Sequence, residues 1–213
     1  AEPMAAGVRN VLAETCLQIE IAGSIRRRAA DVKDAEIVAI PTAATYRVIE
    51  SMVATGDWSK AVYSDGRMRW GDKYRGIEVQ QVDERTEQRT RLRVELFFTE
   101  RDSWGYQLAL RTGPGDANRD LMTWMQKTPL RCIDGAVWYA EDWARVDEDW
   151  ISETKRRVIV RDESAWFALF GMGCLLPEYR TARLYQHAVF TPGAMALGPA
   201  PERQQSLFGD WTP

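Results

Sequence analysis

The sequence predicts an α+β chain in which a mixed, partly antiparallel sheet is flanked by helices and followed by a smaller α/β part. Three observations predict it. Strand-like stretches lie at 18–22, 34–40, 73–82 and 89–98, and the last alternates apolar and charged residues at period two. Stretches with apolar residues at helical spacing precede and follow them. A chain of 213 residues with 45% apolar and 28% charged residues can build a core, as one large or two small domains, and is no disordered chain.

The elements follow in order. Met4, Val8, Val11 and Leu12 place a helix over 4–16. Residues 18–22 form a first strand, 23–33 a loop with a short helical turn, and 34–40 a second strand ending at Pro41. A helix over 42–54 stops at Gly56. Residues 61–71 read as paired short strands turning at Asp65-Gly66. Strands over 73–82 and 89–98 flank a polar break. Asp102-Ser103 is expected to cap a helix running to Arg111 by its side chains. After Gly113-Pro114-Gly115-Asp116 a second helix spans 117–126. Strands at 130–133 and 136–140 turn at Asp134-Gly135, 141–162 reads as irregular, and Asp162-Glu163 caps a helix carrying Trp166, Phe167, Leu169 and Phe170. Pro177 begins a last helical turn. From about 188 the prolines, glycines and alanines show no periodicity and read as a mobile tail.

The net charge of −3 mildly opposes a nucleic-acid binder, but basic residues cluster at 26–28, 85–93 and 155–161. The three scattered cysteines, Cys16, Cys132 and Cys174, suit neither zinc nor a disulfide framework, which places the chain in a reducing, cytoplasmic setting. No leader is expected, and no apolar run reaches the ~18 residues of a membrane span. The lone His187 is assigned no role, and Trp58, Trp70, Trp138 and Trp143 read as core before base-stacking platforms.

The chemistry concentrates in Ile21-Ala22-Gly23-Ser24-Ile25-Arg26-Arg27 and Asp34-Ala35-Glu36. In a strand Asp34 and Glu36 share a face, and like charges so close are kept where a cation sits between them. A Gly-Ser step lets backbone N–H groups approach an anion, and Arg27 can fork onto phosphate oxygens. Metal-assisted phosphoryl transfer needs a ligand from a second strand, with metals ~3.5–4 Å apart. Glu95 is the candidate, with Glu20 and Glu78 as rivals. Arg89, Arg91 and Arg93 share its face, as in a groove where phosphates run toward a metal site. The same row also fits a salt-bridged sheet edge.

Gly-Ser, an arginine pair and Asp-x-Glu ten residues after the serine resemble the signature of polymerase β-type nucleotidyltransferases. Arg93-Val94-Glu95, Thr112-Gly113, Asn118, Lys73-Tyr74-Arg75-Gly76 and Glu163…Phe167…Pro177…Arg180 extend the likeness over residues 18–180 to a family X DNA polymerase, in its palm and thumb. The resemblance implies a nucleotidyltransferase palm with a mixed sheet over 1–112, a small α/β thumb over 113–187 and a tail over 188–213. It implies that Asp34, Glu36 and Glu95 hold two Mg²⁺ ions, with Mn²⁺ also admissible. Gly23, Ser24 and Arg27 would hold the β- and γ-phosphates of a dNTP. Thr112 and Gly113 would sit at its sugar, Asn118 at its base edge, and Arg93 beside the primer terminus. The lyase and helix-hairpin-helix parts of larger members are expected to be absent, since too few residues precede Gln18 for them. The chain departs from the family pattern at Glu36 and Glu95, where the family carries aspartate. It departs again at Leu110-Arg111, where the family has an aromatic pair, and at Met122, where it has arginine.

Gln204-Gln205-Ser206-Leu207-Phe208 resembles the bacterial sliding-clamp-binding peptide, with Gln204, Leu207 and Phe208 as its anchors. It suggests a bacterial or phage-like setting. The expectation is therefore a monomeric DNA polymerase that adds dNMPs to a primer 3′-hydroxyl, fills short gaps in DNA repair, and binds primer-template, dNTP and a sliding clamp. The rivals are a template-independent or RNA-directed nucleotidyltransferase and a non-catalytic, DNA-binding, clamp-associated regulator.

Overall fold

The computed structural model describes residues 1–82, 85–140, 144–146, 149–151 and 156–180. The fold is α+β. It divides into two compact units, Ala1–Glu100 and the chain from Arg101 onward. The division falls ahead of residue 112, because the helix over 104–112 packs with the second unit's elements.

The first unit is a mixed five-stranded sheet flanked by helices. Its strands are β1 (Cys16–Ile21), β2 (Ala35–Pro41), β3 (Trp58–Lys60), β4 (Tyr74–Val82) and β5 (Arg89–Phe98), ordered β1-β2-β5-β4-β3. Only β2 and β5 run parallel; the other pairs are antiparallel. Helices α1 (Glu2–Ala13) and α3 (Ala43–Thr55) cover one face. There Ala5, Val8, Leu12 and Ile49 pack on Ala35, Ile37, Ile77, Val94 and Leu96, all buried. By period two, Glu36, Gly76, Arg93, Glu95 and Phe97 belong to the opposite face.

Helix α1 ends at Ala13 rather than 16, because Thr15 turns both its N–H and its hydroxyl onto the Leu12 carbonyl and Cys16 pairs with Pro41. Thr42 caps α3 through a reciprocal side-chain and backbone exchange with Thr45. The predicted hairpin over 61–71 is present only as the isolated bridge Val62–Met68, closed by Tyr63 N–H on Arg67 O, while Trp70 bridges to Arg75 of β4. Strand β3 was not expected. It exists because Trp58 is buried against the core beside Val79.

In the second unit α4 (Trp104–Thr112), α5 (Gly115–Met125) and α6 (Glu163–Ala168) enclose a core with Leu121, Leu130, Trp166 and Phe167, all at most 1% exposed. Strands β6 (Leu130–Ile133) and β7 (Ala136–Tyr139) form a hairpin whose turn residues Asp134 and Gly135 both have positive φ. The stretch read as irregular holds β8 (Ala144–Val146) and β9 (Asp149–Ile151), which pair with each other, and β10 (Arg157–Val158), which extends the hairpin sheet alongside β7. Strands of two or three residues leave no readable period. Ser103 precedes α4 without a side-chain cap, because the hydroxyl accepts from Arg157 and the Asp102 carboxylate is taken by Arg161 at 2.9 Å. Asp162 does cap α6, accepting from Ala165 N–H at 2.7 Å.

Candidate functional site

The site is built by register. In the parallel pair β2–β5, Ala35 stands opposite Val94 and Glu36 opposite Glu95. Residues directly opposite in a ladder share a face, so the two glutamates project to the same side. Asp34 immediately precedes β2, and its Oδ2 accepts from Arg93 Nη2 at 2.6 Å. Arg93 Nε lies 3.4 Å from Glu95 Oε1, an ion pair without hydrogen-bond geometry. One guanidinium thus joins a carboxylate just ahead of β2 to one on β5. The hydrogen bond to Asp34 is the main cause of the raised Arg93 pKa, opposed by desolvation and aided by the charges of Asp34 and Glu95.

The Gly-Ser turn packs beside this cluster. Gly23, Ser24 and Arg26 lie in the single-turn α2 (Gly23–Arg26), and Arg27 follows it. Ala22 N–H donates to Glu36 O at 2.7 Å, tying the turn to β2. Gly23 has φ +64°, and a methyl group there would overlap the Glu36 carboxylate. Both facts favour glycine.

Two residues to which the sequence reading gave no site role complete the cluster. Tyr63, from the 61–71 loop, is buried, and its hydroxyl is hydrogen-bonded to that of Tyr74 and donates to Glu95 Oε1 at 3.5 Å. Its ring lies under two guanidinium groups, Arg69 at 4.2 Å and Arg93 at 5.2 Å from the centroid. Burial is the main cause that raises the pKa of both phenols. The hydrogen bond to Tyr63 and the charge of Glu95 add to it at Tyr74. The signal that could have found them is Gly76, a glycine in the middle of a strand, which marks a close approach.

Of the rivals, Glu20 is exposed on β1, and Glu78 stands opposite Arg93 on β4. Arg89 and Arg91 are exposed on the β5 segment opposite Val82 and Gln80. The other basic clusters divide. An open cleft of about 520 Å³ is lined by Glu2, Glu20, Arg26 and Arg28 and by none of the three carboxylates. Arg156 and Arg157 stack over Tyr139 and Trp138, and Arg161 pairs with Asp102, so these three are engaged within their own unit. Trp58 is core, the Trp70 ring meets both Lys60 and Arg75, and Trp138 donates to Ile133 O.

In the second unit Thr112 is fully buried, and Asn118 turns its amide back onto the carbonyls of Leu110 and Gly113. Thr112, Gly113 and Asn118 therefore form one local cluster at the α4–α5 turn. Gln204, Leu207, Phe208, His187 and Trp143 lie outside the described residues.

Among the described residues no three His, Cys, Asp or Glu side chains come close enough to hold a metal ion as they stand. The donor chemistry nevertheless suits one. Asp34, Glu36 and Glu95 offer carboxylate oxygens, which hard cations such as Mg²⁺ take. The charge already gathered between Asp34 and Glu95 is positive. Among the described residues no helix is long and apolar enough to cross a membrane. No protein-family model matches the chain, and no curated protein matches it.

Proposed function

We propose that the chain is a metal-dependent nucleotidyltransferase of the family X DNA polymerase type, with the first unit in the role of palm and the second in that of thumb. It would add dNMPs to a primer 3′-hydroxyl and fill short gaps in DNA. The observation that carries this reading is the register of β2 and β5, which sets Glu36 across from Glu95 with Asp34 beside them and the Gly23 turn against Glu36.

On this reading Asp34, Glu36 and Glu95 hold two Mg²⁺ or Mn²⁺ ions, which supply charge to the attacking 3′-oxygen and the leaving pyrophosphate. Gly23, Ser24 and Arg27 grip the β- and γ-phosphates of the dNTP. Arg93 would leave Asp34 for the primer terminus, and Glu95 or the metal-bound environment would assist loss of the 3′-hydroxyl proton. Arg89 and Arg91 meet the backbone phosphates. Thr112 is fully buried and Asn118 is spent on the Leu110 and Gly113 carbonyls, so these residues brace their own turn within the second unit. Catalysis is then positioning and charge neutralisation. Gln204, Leu207 and Phe208 would tether the enzyme to a sliding clamp and raise its local concentration on DNA.

The test is extension of a gapped primer-template with each dNTP and rNTP, in Mg²⁺ and in Mn²⁺. Wild type incorporates the templated dNMP, and Asp34→Ala loses about 10²- to 10³-fold, the scale of removing one preorganised charge-stabilising group. Incorporation at untemplated ends, or of rNMPs only, selects the template-independent or RNA-directed enzyme instead. DNA binding with equal inertness of both proteins leaves a non-catalytic binder.

A further inference from the structure

On the opposite side of β5 from β2, Glu95 stands across from Gly76 of β4. A strand position facing a functional carboxylate would ordinarily project a side chain beside it. Here there is none, and Tyr63 enters the space from another part of the chain. A methyl group on Gly76 would overlap the Tyr63 hydroxyl. We propose that Tyr63, admitted by Gly76 and backed by Tyr74, is a positioning residue that fixes the orientation of the Glu95 carboxylate; this rests on the reading of Glu95 as a metal ligand.

A carboxylate only accepts, and each phenol has one proton to give. The two phenols share their protons between their mutual hydrogen bond and Glu95, with the Tyr63 hydroxyl 3.5 Å from Oε1 and Tyr74 also hydrogen-bonded to that carboxylate. Arg93 Nε lies at the same Oε1 while its guanidinium rests on the Tyr63 ring. One carboxylate oxygen is thereby held by a hydroxyl and a cation that also hold each other. Arg69 covers the Tyr63 ring at 4.2 Å, and Phe97 packs against Tyr74 at 4.9 Å. A neutral hydroxyl partner such as Tyr63 sets the direction of a ligand carboxylate and with it the affinity of the site, whereas the Arg93 cation occupies the place a metal would take. Tyr63 itself need not touch substrate.

The test measures Mn²⁺ binding by electron paramagnetic resonance and denaturant unfolding on the full chain. The proteins are wild type, Tyr63→Phe, Tyr74→Phe, Gly76→Ala, Glu95→Ala, Asp34→Ala and the Tyr63→Phe/Glu95→Ala double variant. Tyr63→Phe is expected to weaken Mn²⁺ about 10- to 100-fold, as loss of an outer partner does. Tyr74→Phe should weaken it less. Gly76→Ala should reproduce the Tyr63→Phe loss although the tyrosine is still present. The Tyr63→Phe effect should vanish in the Glu95→Ala background, both in Mn²⁺ affinity and in unfolding midpoint. Wild-type Mn²⁺ affinity in Tyr63→Phe, or additivity of the two substitutions, overturns the proposal. If wild type and Asp34→Ala show the same Mn²⁺ affinity, or none, the metal-site reading fails instead. The unfolding cycle then decides alone, coupling upholding the hold of Tyr63 on Glu95 and additivity refuting it.

Discussion

Glu36 and Glu95 are direct partners across the only parallel strand pair of the five-stranded sheet. Like charges so placed repel, and Arg93 is the cation that ties Glu95 to Asp34. Arg93→Ala should therefore increase Mn²⁺ affinity several-fold while primer extension falls. The ion pair itself is about one-third exposed on both partners. Its loss should cost no more than ~1 kcal/mol of stability. Calorimetric titration with Mn²⁺ beside a denaturant curve checks both; weaker Mn²⁺ binding in the variant would show that Arg93 organises the carboxylates instead of competing for them.

Gly23→Ala combines a left-handed backbone with an overlap onto the Glu36 carboxylate. It should destabilise the protein by roughly 1–3 kcal/mol, the range for a strained non-glycine residue. Because Glu36 is what must move, Mn²⁺ affinity should drop with it. A denaturant midpoint equal to wild type would mean that the turn relaxes freely.

Arg180 has a fully buried side chain. It donates to Glu163 at 2.6 Å and to the Leu175 carbonyl and lies over the Phe167 ring at 4.9 Å. It fastens the segment after α6 back onto that helix. Arg180→Ala should cost about 3–5 kcal/mol, because Glu163, only 11% exposed, loses its guanidinium partner. Arg180→Met combined with Glu163→Gln should recover much of this, since neither charge is then stranded. Chemical denaturation of the single and double variants reads the difference.

Tyr63, Tyr74 and Tyr106 have pKa values raised chiefly by burial. The folded protein keeps protons that the unfolded chain releases above pH ~10. Their contribution is complete below that pH and is lost as the pH climbs past it. Stability should thus fall on alkaline titration above pH ~10. Tyrosinate absorbance from these three should rise only together with unfolding, whereas an early rise with the fold intact would show the phenols to be open to solvent.

The alternation from Arg89 to Phe98 could be read to the residue, because one face is packed on α1 and α3 while the other carries charge. The boundaries of α3 and the cap of α6 were legible for the same local reasons, a Thr42 or Asp162 side chain meeting the first turn. The meeting of Glu36 with Glu95 was expected from the need for a ligand on a second strand, and the register bears it out, although nothing within either strand states its partner across fifty-odd intervening residues. Tyr63 escaped notice because a tyrosine in a turn-rich segment has no period, and its place is decided by an absent side chain at Gly76. The Asp102-Ser103 cap failed because distant arginines, Arg161 and Arg157, claimed both side chains.

The strand order β1-β2-β5-β4-β3 carries a lesson for synthesis. The middle strand of the sheet is the last to leave the ribosome. Until residues 89–98 emerge, β2 and β4 each present an open flank able to pair with a foreign strand. The acidic cluster likewise comes into being only when that final piece slides between them. A nascent chain halted before Arg89 would be both prone to association and incapable of gathering its charges, so assembly of the chemistry and closure of the fold are a single event.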